Sequence, residues 1–284
     1  MLQWILPTPA LLRTAAWCVL LAAYSVLAVL KEQGQYANYA DLPPGLEAAM
    51  SLVIGLLLAF RINRAFDRWW EGRTLWGQLV NALRNLAAKA NTLTPRDDPA
   101  RDRLTELLVA FPQELRNHLR MMPPEADQIA GLPATGVKHR CGWIANQVYG
   151  ICENWKRSGV IQYGEFLMLD REAKVMLEVC GGCERIKNTP IAASFRVLLH
   201  HLIALFLLTL PWGLATDFGW LTPAIMFLTS YCVIAAEDIA ERVEHPFQVG
   251  SDRLELDPIC ATIETTVREI MATPTTAELE SPPT

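Results

Sequence analysis

The chain has 284 residues, of which 51% are hydrophobic and 19% charged, whereas a soluble domain carries about a quarter charged residues. Its formal net charge is −5, and it has no basic domain to condense on phosphate, which excludes nucleic-acid binding as a function class. The charge deficit is concentrated in three windows, Thr14–Leu30, Val197–Ala215 and Phe218–Ala236, each close to the roughly 20 residues a helix needs to cross about 30 Å of hydrocarbon.

The first window has only Arg13 as a basic flank, and its apolar part is longer than a signal-peptide core, so it is read as a retained span. Leu42-Pro43-Pro44-Gly45 then stops one helix and starts the next. Ala48–Phe60 is uncharged over only 13 residues. No proline interrupts Glu47 to Ala90, so this short window is the first half of one long helix. Further helices are predicted over Arg101–Met121, with Leu104, Leu107, Leu108, Phe111 and Leu115 at helical spacing, over His139–Arg157 and over Gly164–Val179. The links Thr94–Pro99 and Met122-Pro123-Pro124 separate them. A last amphipathic helix covers Leu256–Met271, and residues 273–284 read as a disordered tail rich in Thr, Pro and Glu. No strand pattern stands out. The reading is an all-α membrane protein with one domain over residues 1–272, four spans at about 11–31, 46–66, 194–215 and 218–238, and a helical cytoplasmic part at about 67–190 and 240–272.

Orientation follows from the basic residues. Of the 25 Lys and Arg, 20 fall between Arg61 and Arg196, while Glu32–Phe60 and Val197–Glu241 contain none. The positive-inside rule puts the intervening polar part, and both termini, in the cytoplasm.

The second span carries two stripes. Ser51, Gly55, Ala59 and Asn63 recur every four residues, the spacing that lets helices approach closely in lipid. Leu52, Leu56 and Phe60 run beside them and could face lipid, another helix or the axis of an oligomer. Arg61, Arg64, Asp67, Arg68, Glu71 and Arg73 follow; Asp67 and Glu71 stand where they can pair with Arg64 and Arg68. Trp69, Trp70 and Trp76 suit an interfacial aromatic belt. Cys180-Gly-Gly-Cys183 is one C-x-x-C, short of the four ligands a structural zinc takes, and its thiols are read as structural.

Three runs resemble the bestrophin family in its bacterial branch: Gly55–Gly77 (GLLLAFRINRAFDRWWEGRTLWG) with Asn81–Leu86; Cys183-Glu-Arg-Ile-Lys-Asn-Thr-Pro-Ile191; and Pro211-Trp-Gly-Leu, Gly219-Trp-Leu-Thr-Pro223 and Glu244-His-Pro-Phe247. They occur in the family's order and span about residues 10–270. The resemblance implies a homopentameric ion channel, chloride-conducting in animal members, in a bacterial inner membrane. It also implies a neck of three apolar residues, which fall on Leu52, Leu56 and Phe60, and a cytoplasmic aperture, which falls on Ile191. The family usually has Pro after this residue; Ala192 stands here. The acidic run that binds calcium in animal members is absent from the stretch after Phe247, where two scattered carboxylates cannot supply calcium's 6–8 oxygens. No cofactor and no catalytic residue is assigned.

Two other readings stand beside this one. The acidic net charge would attract cations to the mouths of such a channel, giving a cation-selective version of the same architecture. Glu237, Glu241 and His245 fall at i, i+4 and i+8 on one helical face, the arrangement a membrane metalloenzyme could use.

Overall fold

The computed structural model describes residues 9–34, 43–122, 137–250 and 252–274. Among these the periodicity resolves into helices with no strand: α1 (Pro9–Glu32), α2 (Pro44–Leu93), α3 (Pro99–Arg120), α4 (Arg140–Arg157), α5 (Tyr163–Asn188), α6 (Ala193–Phe218), α7 (Thr222–Glu244) and α8 (Leu256–Ala272). The helix breaks expected at Leu42 and at Pro123-Pro124, and nearly all of the expected C-terminal tail, lie outside the described residues. The chain divides into two compact units, Met1–Asp67 with Pro190–Glu244, and Arg68–Thr189 with His245–Thr284. The 50 residues of α2 are shared between them and extend about 75 Å at 1.5 Å per residue.

The first unit is made of apolar helices. Three stretches are long and apolar enough to cross a membrane: 13–32, 45–93, and 193–244, which holds α6 and α7. A short 3-10 turn at Gly219–Leu221 parts these two helices. It opens on Gly219 at φ +52°, a left-handed value that glycine reaches without a Cβ penalty. Ile54 and Leu58 of α2 pack on Leu199, Ile203, Phe206, Leu207 and Leu210 of α6 and on Met226 of α7. α1 lies against α6 and α7, with Ala28 and Val29 on Ala215. Hydroxyls bond within the unit: buried Ser230 Oγ donates to the Met226 carbonyl at 2.6 Å, and Trp212 Nε1 donates to the hydroxyl of half-buried Tyr24 at 2.8 Å. Little of the apolar surface is used up. Only 11% of the apolar window of α2 is buried within the chain, so most of its apolar surface is left open, the opposite of a soluble fold. This is a membrane protein.

The second unit has an ordinary core. Trp76, Leu79, Leu83, Leu86 and Ala90 of α2 form one stripe and meet Leu104, Leu108 and Phe111 of α3, Ile144 and Val148 of α4, Met176 and Cys183 of α5, and Ile263 and Val267 of α8. Its helix ends are capped as their sequences direct. Asp98 accepts the Ala100 N–H at 2.8 Å with Pro99 next in line, and its second oxygen accepts Trp155 Nε1–H at 2.7 Å. Gln162 and Glu165 form a capping box on α5. Buried Arg101 ties three helix ends together by donating to the carbonyls of Thr94 and Met271 and to the side chain of Asn91. Gly182 permits the close approach of α5 to α2, since a Cβ there would lie 2.9 Å from Leu75 Cδ1, while Gly181 faces open space.

Candidate functional site

The second span presents three faces, and the inward one is not among the two stripes drawn from sequence. Ile54, Leu58, Arg61 and Ala65 are buried. Ser51, Gly55, Ala59 and Asn63 are exposed, and among the described residues nothing lies within 4 Å of a Cβ built on Gly55, so there the small stripe is open. Leu52, Leu56 and Phe60 are exposed at 74%, 55% and 55%, a continuous apolar strip facing away from the core of the unit.

Arg61 was the least expected placement. Read from sequence as a juxtamembrane charge, it is fully buried. Its Nη1 lies 2.6 Å from Glu244 Oε2, and its Nε donates to Glu237 Oε1 at 3.3 Å. Glu244 is fully buried and Glu237 nearly so, and both project from α7 seven residues apart, on one face. His200 of α6 sits 3.2 Å from Glu237 Oε1. The other carboxylate oxygen of Glu244, Oε1, accepts the backbone N–H of Ile191 at 2.9 Å. One arginine and two glutamates thus connect α2, α7 and the short segment between α5 and α6. A charge buried near membrane depth must be paired, and Arg61 is. Arg61 falls seven residues after Ile54, on the same buried stripe of α2.

This network corrects the metal reading. α7 ends at Glu244, so His245 lies beyond the helix and the i, i+4, i+8 face stops short. Glu237 is engaged by Arg61 and His200. Glu241 is exposed and lines a cavity of about 420 Å³ with Trp17, Leu21, Ile203 and Glu237. Among the described residues, the cluster with donor atoms close enough for a metal lies elsewhere, at His118, His139 and Glu184. Hydrogen bonding accounts for it. Glu184 Oε1 is 2.7 Å from His118 Nε2 and 3.2 Å from His139 Nε2. His139 Nδ1 accepts the Gly142 N–H at 2.8 Å as the cap of α4, which puts the proton of the neutral ring on Nε2, facing Glu184 rather than a metal.

Of the other singled-out residues, Arg64 and Asp67 belong to the first unit and the rest to the second. Arg64 and Asp67 pair at 3.5 Å, both largely exposed, as the spacing allows. Arg68 and Glu71 take different partners from those expected. Arg68 donates to the carbonyls of Thr189 at 2.5 Å and Ile186 at 2.6 Å, a cation on the C-terminal end of α5. Glu71 pairs with Arg185. Trp70 is exposed and Trp69 half-buried, but Trp76 is wholly inside the core and does not belong to an interfacial belt. The thiols of Cys180 and Cys183 are buried and free. Burial pushes the Cys183 and Cys152 thiols up, the latter to about 12, and hydrogen bonding to Cys180 raises Cys141, so these thiols stay protonated and inert.

Residues 5–269 match the model of the bacterial and fungal bestrophin proteins. The chain belongs to this family. Among curated relatives, a voltage-dependent anion channel-forming protein of Ralstonia nicotianae is 32% identical over 237 residues, covering 79% of this chain and 76% of the relative. One of Escherichia coli with the same descriptive name is 34% identical over 222 residues, covering 76% and 72%. A solved variant of a bacterial bestrophin homologue from Klebsiella pneumoniae superposes with a TM-score of 0.85 at 25% identity, over 93% of this chain and 99% of that one. A bestrophin fold therefore carries the apolar strip of α2 and the buried Arg61 network.

Proposed function

We propose that this bestrophin is an anion channel in which five copies surround a central pore lined by α2. Leu52, Leu56 and Phe60 form the neck and Ile191 the cytoplasmic aperture. The observation that carries this reading is the strip itself. The inward face of α2 already packs through Ile54 and Leu58, yet three large apolar side chains two residues away stand open in the protomer. A ring of such side chains is a hydrophobic constriction that gates by dewetting. Relatives named as anion channel-forming proteins support anion passage over the cation passage that net charge alone suggests. Four spans per subunit, in α1, the first half of α2, α6 and α7, would put the basic segment between Arg61 and Arg196 and both termini in the cytoplasm of a bacterial inner membrane. On this reading residues 1–272 act as one domain whose role is conduction, and no residue has a catalytic task.

Reconstitution tests it. Purified protein in planar bilayers under a chloride gradient is expected to reverse near the chloride potential, and replacing Leu52, Leu56 and Phe60 together with Ala should raise the current. Reversal near the cation potential, or a triple variant indistinguishable from wild type, would overturn the assignment.

A further inference from the structure

The segment joining α5 to α6 runs from Thr189 to Ala192. Pro190 has no N–H, and the N–H of Ile191 enters no helical ladder; it is received by a side chain, Glu244 Oε1, at 2.9 Å. That carboxylate is itself immobilised. It is fully buried at the end of α7, and its second oxygen meets Arg61 Nη1 at 2.6 Å. Arg61 follows Phe60 directly. Successive helical residues point about 100° apart, so Phe60 faces out while Arg61 faces in to take the carboxylate. A single buried carboxylate thus spans from the residue next to the last neck side chain to the backbone of the residue beyond it.

We propose that Glu244 is a positioning residue for the cytoplasmic aperture: held by Arg61, it fixes the backbone of Ile191 and so sets the size of the opening that the Ile191 side chains form. The proposal rests on the reading of Ile191 as the aperture. Ala192 has no ring to restrict its φ; Pro190 and the Arg68 hydrogen bond to the Thr189 carbonyl restrain the start of the segment, and the Glu244 hydrogen bond restrains Ile191 itself. Glu244 touches no permeating ion. It acts on permeation through Ile191, and its removal alters what the aperture discriminates.

The readout is the permeability ratio of iodide to chloride, from reversal potentials of full-length protein in planar bilayers. This ratio does not depend on how many channels assemble, so a residue that serves only stability leaves it unchanged. Ile191→Ala should shift the ratio. Glu244→Ala, which removes the acceptor of the Ile191 N–H, should shift it in the same direction and by no more than Ile191→Ala does. Glu244→Gln retains an oxygen for the Ile191 N–H and should stay nearer wild type, and Ile191→Ala with Glu244→Ala should shift no further than Ile191→Ala alone. If Glu244→Ala does not assemble, Arg61→Met with Glu237→Met and Glu244→Met replaces the whole buried cluster with apolar groups of similar size while still lacking the acceptor, and should give the same shift. Wild-type ratios in Glu244→Ala and in that triple variant, alongside a shifted Ile191→Ala, refute the positioning role. A wild-type ratio in Ile191→Ala removes the aperture reading itself, and this proposal with it.

Discussion

Replacing Arg61 with Met keeps the bulk of the side chain and deletes its charge. At an effective dielectric constant of 20, the contacts at 2.6 Å and 3.3 Å correspond to attractions of about 6 and about 5 kcal/mol. Three ions had to be dehydrated to make them, at several kcal/mol each, so the intact cluster contributes little net stability. Arg61→Met alone is different, because Glu237 and Glu244 are left dehydrated without the arginine. Breaking a buried pair in this way costs about 3–5 kcal/mol. For a chain of this size that is a fall in Tm on the order of 10 °C. The assay is thermal unfolding in detergent, followed by tryptophan fluorescence. Arg61→Met combined with Glu237→Met and Glu244→Met should recover most of the loss, since a whole buried ion cluster can be exchanged for apolar packing at little cost. A single variant within about 1 kcal/mol of wild type, or a triple variant no better than the single, would show that the cluster is not buried as described.

Two other outcomes are expected in the second unit. Alanine gains up to about 1 kcal/mol of helix propensity over glycine at either position of α5, so Gly181→Ala should be neutral or stabilising, whereas the methyl of Gly182→Ala must also displace the Leu75 side chain and should leave that variant the less stable of the two by about 1–3 kcal/mol; thermal unfolding of both variants separates them. Hydrogen bonding to Arg120, with Arg116 beside it, holds the Asp257 carboxyl below its ordinary value of 3.8. Its stabilising contribution is therefore complete above pH 3.8 and is lost as pH falls through the lower folded value; because the side chain is 57% exposed, it amounts to less than about 1 kcal/mol. Asp257→Asn should lower Tm slightly at neutral pH and in low salt, with the difference from wild type closing in acid.

The helices were legible because their apolar spacing and breakers agree. Pro99 behind Asp98 starts α3, and Gln162 with Glu165 starts α5. The strip Leu52, Leu56, Phe60 was drawn from sequence as one face, and the structure has it as one face. What sequence could not supply was which face turns inward, since Ile54 and Leu58 are as apolar as their exposed neighbours. Long-range charge pairing was equally hidden. Arg68 and Glu71 had partners available within their own helix, but α5 offers Arg68 two carbonyls and Glu71 a guanidinium, and those contacts win. Trp76 looks like an interfacial residue by type; only the convergence of the other helices makes it a core residue.

The separation of Arg61 from its partners also bears on how the protein is made. Glu237 follows Arg61 by 176 residues. At about 5–20 residues per second, the arginine waits roughly 9–35 s before its first carboxylate is synthesised, and longer before α7 is in place. Through that interval Arg61 lacks both of its carboxylate partners on α7, so closure of the Arg61 cluster is a late step in the folding of the chain.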